Sequence, residues 1–208
     1  MTSDHHTDEV FRQKKIVKNP IKFKLKLNEE QKLAKEKILT NTLTVLAGRA
    51  GSGKTLLACQ VALDGIFRKQ PIYQNMFLLY DKVKVEKLIE DGKIEIVPLA
   101  FMRGRTFLDS CIIVDEAQNV THEQMEMIAT RIGLRSKMIV CGDDHQVDLK
   151  SRRESGFRFL YTAGRKIKKM CSVTLITNHR DPIVDDLIEI YEGAEEKGIL
   201  KGTSGSSG

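Results

Sequence analysis

Five short apolar runs, rich in β-branched residues, recur along the chain: TLTVLA with its core at 43–47, IEIV at 94–97, CIIVDE at 111–116, KMIVCGD at 137–143 and SVTLI at 172–176. They are continuous rather than alternating, which predicts strands covered on both faces. Helical patterns lie between them. Lys54 to Phe67 is amphipathic at the helical period, and THEQMEMIATRI (121–132) opens with Thr121 and Gln124 in capping-box spacing. SGFRFLYTAGRKI (155–167) reads as a further helix. Strands that alternate with helices predict an α/β domain with a mostly parallel sheet, whose ligand sits beyond the carboxyl ends of the strands. One stretch breaks the alternation: ALDGIFRKQPIYQNMF reads as helix running into helix, with no apolar strand between.

The first strand, Thr42 to Ala47, runs straight into GRAGSGKT. Gly48, Gly53, Lys54 and Thr55 satisfy G-x-x-x-x-G-K-[ST], and the strand before and helix after supply the context that gives the pattern meaning. Glycines let successive backbone N–H groups of Gly48, Arg49, Ala50, Gly51, Ser52 and Gly53 curl around a phosphate without Cβ clashes. Lys54 is then placed to reach the β- and γ-phosphates, Thr55 to put its hydroxyl on Mg²⁺, and the helix to aim its positive end at the same anion.

A triphosphate site that hydrolyses needs a second carboxylate for Mg²⁺ and a group that orients water. In CIIVDEAQN, Asp115 closes a buried run and is expected at the carboxyl edge of the sheet, beside the loop. Glu116 is expected to point the other way by strand alternation and to polarise water as a base. In VCGDDHQVDL, Gln146 is an uncharged group able to donate to phosphate and accept from water. Asp143, Asp144 and Asp148 beside it read equally well as ordinary loop residues. Arg180, just after the last strand and before Pro182, is a guanidinium that can serve a phosphate in its own chain or a neighbour's.

Composition narrows the class. At 208 residues the chain fits one domain, expected over 21–200 with a polar basic tail at 1–20 and a linker-like tail at 201–208. No apolar run approaches the length of a membrane span, and MTSDHHTDEVFRQKK lacks the apolar core of a signal peptide, so the expectation is a cytoplasmic protein with no membrane partner. Four scattered cysteines without a C-x-x-C pair read as reduced core residues rather than a zinc site. The net charge of +6 is concentrated in residues 12–37 and in RSK, KSRRE and GRKIKK. That surplus suits nucleic acid and suits a solvated lysine-rich face equally. The same two readings hold for RGRT (103–106).

Three segments together, GRAGSGKTLLA, the run from IEIVPLAFMRGRT through VDEAQNVTHEQ to VCGDDHQVDL, and NHRDPIVDDLIEIY, resemble the PhoH-like proteins. These are cytoplasmic ATP-binding proteins with a RecA-type core close to that of superfamily 1 helicases, and the resemblance spans about Leu27 to Tyr191. It implies a single RecA-like P-loop domain and ATP rather than GTP. It places Lys54 and Thr55 in the Walker A loop, Asp115 and Glu116 in Walker B, and Gln146 in the segment that reads the γ-phosphate. It also implies that Gln31 contacts adenine and that Arg180 completes the site, often from an adjacent subunit. The family has a strand and a long loop where this chain reads helix to helix, so the resemblance also raises the expectation that the sheet loses a strand there.

The leading expectation is therefore a Mg²⁺-dependent ATPase working on RNA or single-stranded nucleic acid, assembled as a ring-like homo-oligomer. A nucleotide-gated binding module with little turnover is the alternative from another class. A small-molecule kinase shares the loop, but VDEAQN followed by GDDHQ belongs to the helicase-like arrangement, and no clustered-arginine lid is evident.

Overall fold

The predicted runs at 43–47, 111–114 and 137–142 form strands buried on both faces, whereas those at 94–96 and 172–175 form partly exposed strands. The computed structural model describes residues 26–67, 75–79, 92–143, 154–164, 166–179 and 181–196. In chain order the elements are α1 (Glu29–Thr40), β1 (Leu43–Gly48), α2 (Lys54–Ile66), β2 (Asn75–Leu79), β3 (Ile94–Ile96), β4 (Ser110–Val114), α3 (His122–Ala129), β5 (Lys137–Gly142), α4 (Gly156–Ala163), β6 (Met170–Leu175) and α5 (Ile183–Glu196). The strands form one sheet in the order β3-β2-β4-β5-β1-β6, and every pairing is parallel.

Alternate residues of β1, β4 and β5 feed two cores. Leu46, Cys111, Ile113, Ile139 and Cys141 face one layer with Ala34 and Ile38 of α1 and Leu57, Ala58 and Val61 of α2. Val45, Ile112, Val114, Met138 and Val140 face the other, with Met125 and Ile128 of α3 and Phe157 of α4. Burial on both faces is why the runs are continuously apolar.

The expected loss of a strand after α2 is overturned. Residues 75–79 form β2, paired to β3 through Met76↔Ile94 and to β4 through Met76↔Cys111. A short continuous apolar run has the same periodicity as a buried helical segment, and only its length of five residues distinguishes it as a strand. The two later helices are shorter than their patterns. α3 stops at Ala129, where Thr130 Oγ1 donates back to Glu126 O, and Ile132 bridges Phe107 instead of extending the helix. α4 stops at Ala163, before Gly164.

Lys137, at the start of β5, is buried, and its ammonium donates to the carbonyl oxygens of Ile38, Leu39 and Asn41. It caps the negative end of α1, where the last carbonyls lack helical partners. Lys137→Met keeps the stem but strands those carbonyls, and should lower unfolding free energy by about 1–3 kcal/mol, read as a lower urea midpoint at unchanged slope.

Candidate functional site

The loop between β1 and α2 is shaped by what its glycines avoid. Gly48 lies level with Leu175 of β6, and a Cβ there would come 2.5 Å from Leu175 O and 2.8 Å from Ser52 Oγ. Gly53 is the residue before α2 and is left-handed at φ 83, a conformation that suits glycine. α2 therefore begins with its N–H groups turned to the loop and no side-chain cap over them. Lys54 folds back into the loop, its Nζ donating to Gly48 O at 2.7 Å and Arg49 O at 3.0 Å.

The acidic strand meets this loop directly. Thr55 Oγ1 donates to Asp115 Oδ1 at 2.8 Å, joining the first turn of α2 to the residue just past β4. Burial raises the Asp115 carboxyl above its ordinary range; the Thr55 hydroxyl, the Glu116 amide and the Lys54 charge oppose the rise, and the Glu116 charge adds to it. Glu116 is not aimed by strand alternation, because β4 ends at Val114. It is left-handed at φ 50, unusual for a residue with a side chain, and opens a 3-10 turn over Ala117–Asn119.

Two residues outside the predicted site hold that turn. Gln118 is 2% exposed. Its Nε2 donates to Glu116 Oε2 at 2.7 Å, and its Oε1 accepts from Asp143 N at 3.0 Å. Asp143, whose role the sequence leaves open, is buried, and its Oδ2 accepts from Ala50 N of the phosphate loop at 2.8 Å.

On the other side of the loop, Gln31 is buried beside it. Gln31 Oε1 accepts from Asn28 N in the capping box of α1, and Nε2 lies 3.4 Å from Ser52 O and 3.1 Å from His179 Nε2. His179 N donates to Gly51 O, which ties the segment after β6 to the loop. His179 was not predicted; NHR following a strand was the available signal. Gln146 and Arg180 lie outside the described residues.

Ala50, Lys54, Thr55, Asp115, Glu116 and Gln118 thus face one cleft of about 270 Å³. A second cleft of about 610 Å³ lies past Gly48 and Arg49, against Arg158 and Tyr161 of α4 and Thr174 of β6. The larger space shares Asp143 with the smaller but lacks Lys54, Thr55, Asp115 and Glu116, so the smaller is the candidate site. Among the described residues no group of three or more His, Cys, Asp and Glu side chains could hold a metal unaided. The hard-oxygen pair of Thr55 and Asp115 fits Mg²⁺, which commonly takes one or two carboxylates and completes its shell with phosphate oxygens and water. Cys59 and Cys111 add no nucleophile: burial pushes Cys59 up to about 11 and Cys111 up to about 12, so neither is a thiolate at neutral pH. No described helix is long and apolar enough to cross a membrane.

The family model for PhoH-like protein matches residues 67–192. A PhoH-like protein of Synechocystis sp. is 32% identical over 193 residues, covering 76% of this chain and 59% of its own length. A PhoH-like protein of Bacillus subtilis is 41% identical over 128 residues, covering 59% of this chain and 39% of its own. The chain thus spans less than two thirds of these relatives. Among solved structures, the Pif1 helicase from Candida albicans aligns over 81% of this chain and 44% of its own, at TM-score 0.48 and 17% identity.

Proposed function

Because the chain belongs to the PhoH-like protein family, we propose that it is an ATPase, converting ATP and water to ADP and phosphate with Mg²⁺, and that nucleic acid stimulates it. The observation that carries the reading is the Thr55–Asp115 bond of 2.8 Å, which sets a carboxylate and a hydroxyl together at the mouth of the phosphate loop. Loop amides and the start of α2 bind the phosphates, and Lys54 trades its carbonyl partners for phosphate oxygens. Mg²⁺, held through Thr55 and Asp115, would neutralise charge on the phosphate oxygens. Glu116 takes the proton of the attacking water. Gln31, with His179 beside it, takes the adenine side. Gln146 is assigned to the γ-phosphate and Arg180 to the charge on the transferring group, supplied by a neighbour in a ring. The domain is assigned to 21–200.

Phosphate release from Mg·ATP, with and without single-stranded RNA, tests the reading. Lys54→Ala should lower the rate by about 10²–10³, the effect of losing one preorganised electrostatic group. RNA should raise the wild-type rate, and activity per subunit should rise with protein concentration if Arg180 acts between subunits. ATP bound tightly with no phosphate released under any condition would instead make this a nucleotide-gated binding module.

A further inference from the structure

Gln118 lines the proposed ATP site without belonging to any group that handles phosphate or metal, yet it is among its most buried polar side chains. Its amide spends both ends on the site. Nε2 donates to Glu116 Oε2 and Oε1 accepts from Asp143 N, while its own carbonyl accepts from Ser155 Oγ at 2.9 Å. Asp143 then reaches Ala50 of the phosphate loop. The path Glu116–Gln118–Asp143–Ala50 links the ends of β4, β5 and β1, three strands adjacent in the sheet.

We propose that Gln118 is a positioning residue that aims the carboxylate of Glu116 and fixes it to the phosphate loop through Asp143. The inference rests on the ATPase reading of the site. A free Glu side chain samples several rotamers, and a general base must lie within hydrogen-bond reach of the proton that it removes. Glu116 follows a strand that has already ended, so no ladder bond orients it; the left-handed backbone and the Gln118 amide do so instead. Donation to Oε2 leaves Oε1 as the oxygen that accepts from water. The second end of the amide ties that aim to the loop, because it holds the N–H of Asp143, whose carboxylate accepts from Ala50 N.

The test is single-turnover ATP cleavage by the full chain, with nucleotide affinity measured alongside. Gln118→Glu keeps the volume and the acceptor for Asp143 N but exchanges the donor for a second carboxylate facing Glu116. Gln118→Leu removes both ends. Each should slow cleavage by about tenfold or more, a step of roughly one decade per lost charge-assisted bond, while ATP affinity stays within about twofold, as expected for an interaction felt in the transition state alone. Placed on Glu116→Gln, Gln118→Leu should slow cleavage little further, because a residue that acts through Glu116 has nothing left to aim. A merely structural role predicts the same further loss on both backgrounds, and that result overturns the proposal. Wild-type-like cleavage by Gln118→Glu overturns it too; should Gln118→Leu fail to fold, Gln118→Glu decides alone. A wild-type chain that never cleaves ATP overturns the ATPase reading and this inference with it, whereas an active wild type with indifferent variants overturns only the inference.

Discussion

Glu116→Gln lowers the rate of phosphate release by about 10²–10⁴, the usual worth of a positioned general base, while Mg·ATP remains bound. The two parts of this expected result come from different places in the structure. Binding is assigned to the loop, α2 and the Thr55–Asp115 pair, none of which the substitution touches. Glutamine at this position keeps an oxygen for the Gln118 amide, so the 3-10 turn and its tie to Asp143 survive. What is lost is the basicity of the second oxygen. Equilibrium binding of a labelled ATP analogue beside a phosphate-release assay separates the two; equal loss of both would mean that Glu116 supports the loop and is not the base.

Asp115→Asn should act in opposite directions on stability and on activity. The Asp115 carboxyl is raised above its ordinary range, chiefly by burial. A carboxyl raised in the fold holds its proton more tightly there than in the unfolded chain. Its contribution to stability is therefore most favourable at low pH, and it weakens as pH climbs from the unfolded value through the folded one. At neutral pH the ionised group is a cost that asparagine lacks, and asparagine still offers an oxygen to Thr55. The nucleotide-free variant should melt higher than the parent at pH 7.5, with the gap shrinking toward pH 4. Its Mg²⁺-dependent turnover should fall by about 10²–10³, since an amide oxygen is a weaker ligand for a hard cation. Thermal melts at both pH values, each with and without Mg·ATP, check the pair of signs, and a variant that melts lower at pH 7.5 would reject the argument.

Legibility differed sharply between the two halves of the problem. The central strands β1, β4 and β5 were readable because burial on both faces leaves a continuous apolar run, and the phosphate loop because Gly48 and Gly53 occupy backbone that side chains do not fit. The capping box of α3 was readable for the same local reason. β2 was missed because five residues carry too little periodicity to choose between helix and strand. Within the site, Lys54 and Thr55 stand in one motif and Asp115 and Glu116 in a second that can be paired with it on paper, and the structure brings all four to one cleft. Gln118 and Asp143 could not be paired that way. Their role lies in one side-chain amide bridging two strand ends, a contact between residues separated by α3 and β5. Asp143 stood in a row of acidic residues where nothing local marked the one that turns inward.

The strand order bears on how such a chain is made. β1, which carries the first glycine of the phosphate loop, emerges from the ribosome well before both of its partners: Leu43 pairs with Met138 of β5 and Met170 of β6. Until β5 and β6 have been synthesised, the apolar flanks of β1 have no sheet to join, and long-range parallel pairing is intrinsically slow to form. During translation the nascent β1–α2 segment is thus an exposed sticky edge, of the kind that chaperones shield. Mutations that weaken β6 should show first as poor yield of soluble protein, before any change in the nucleotide chemistry of the molecules that do fold.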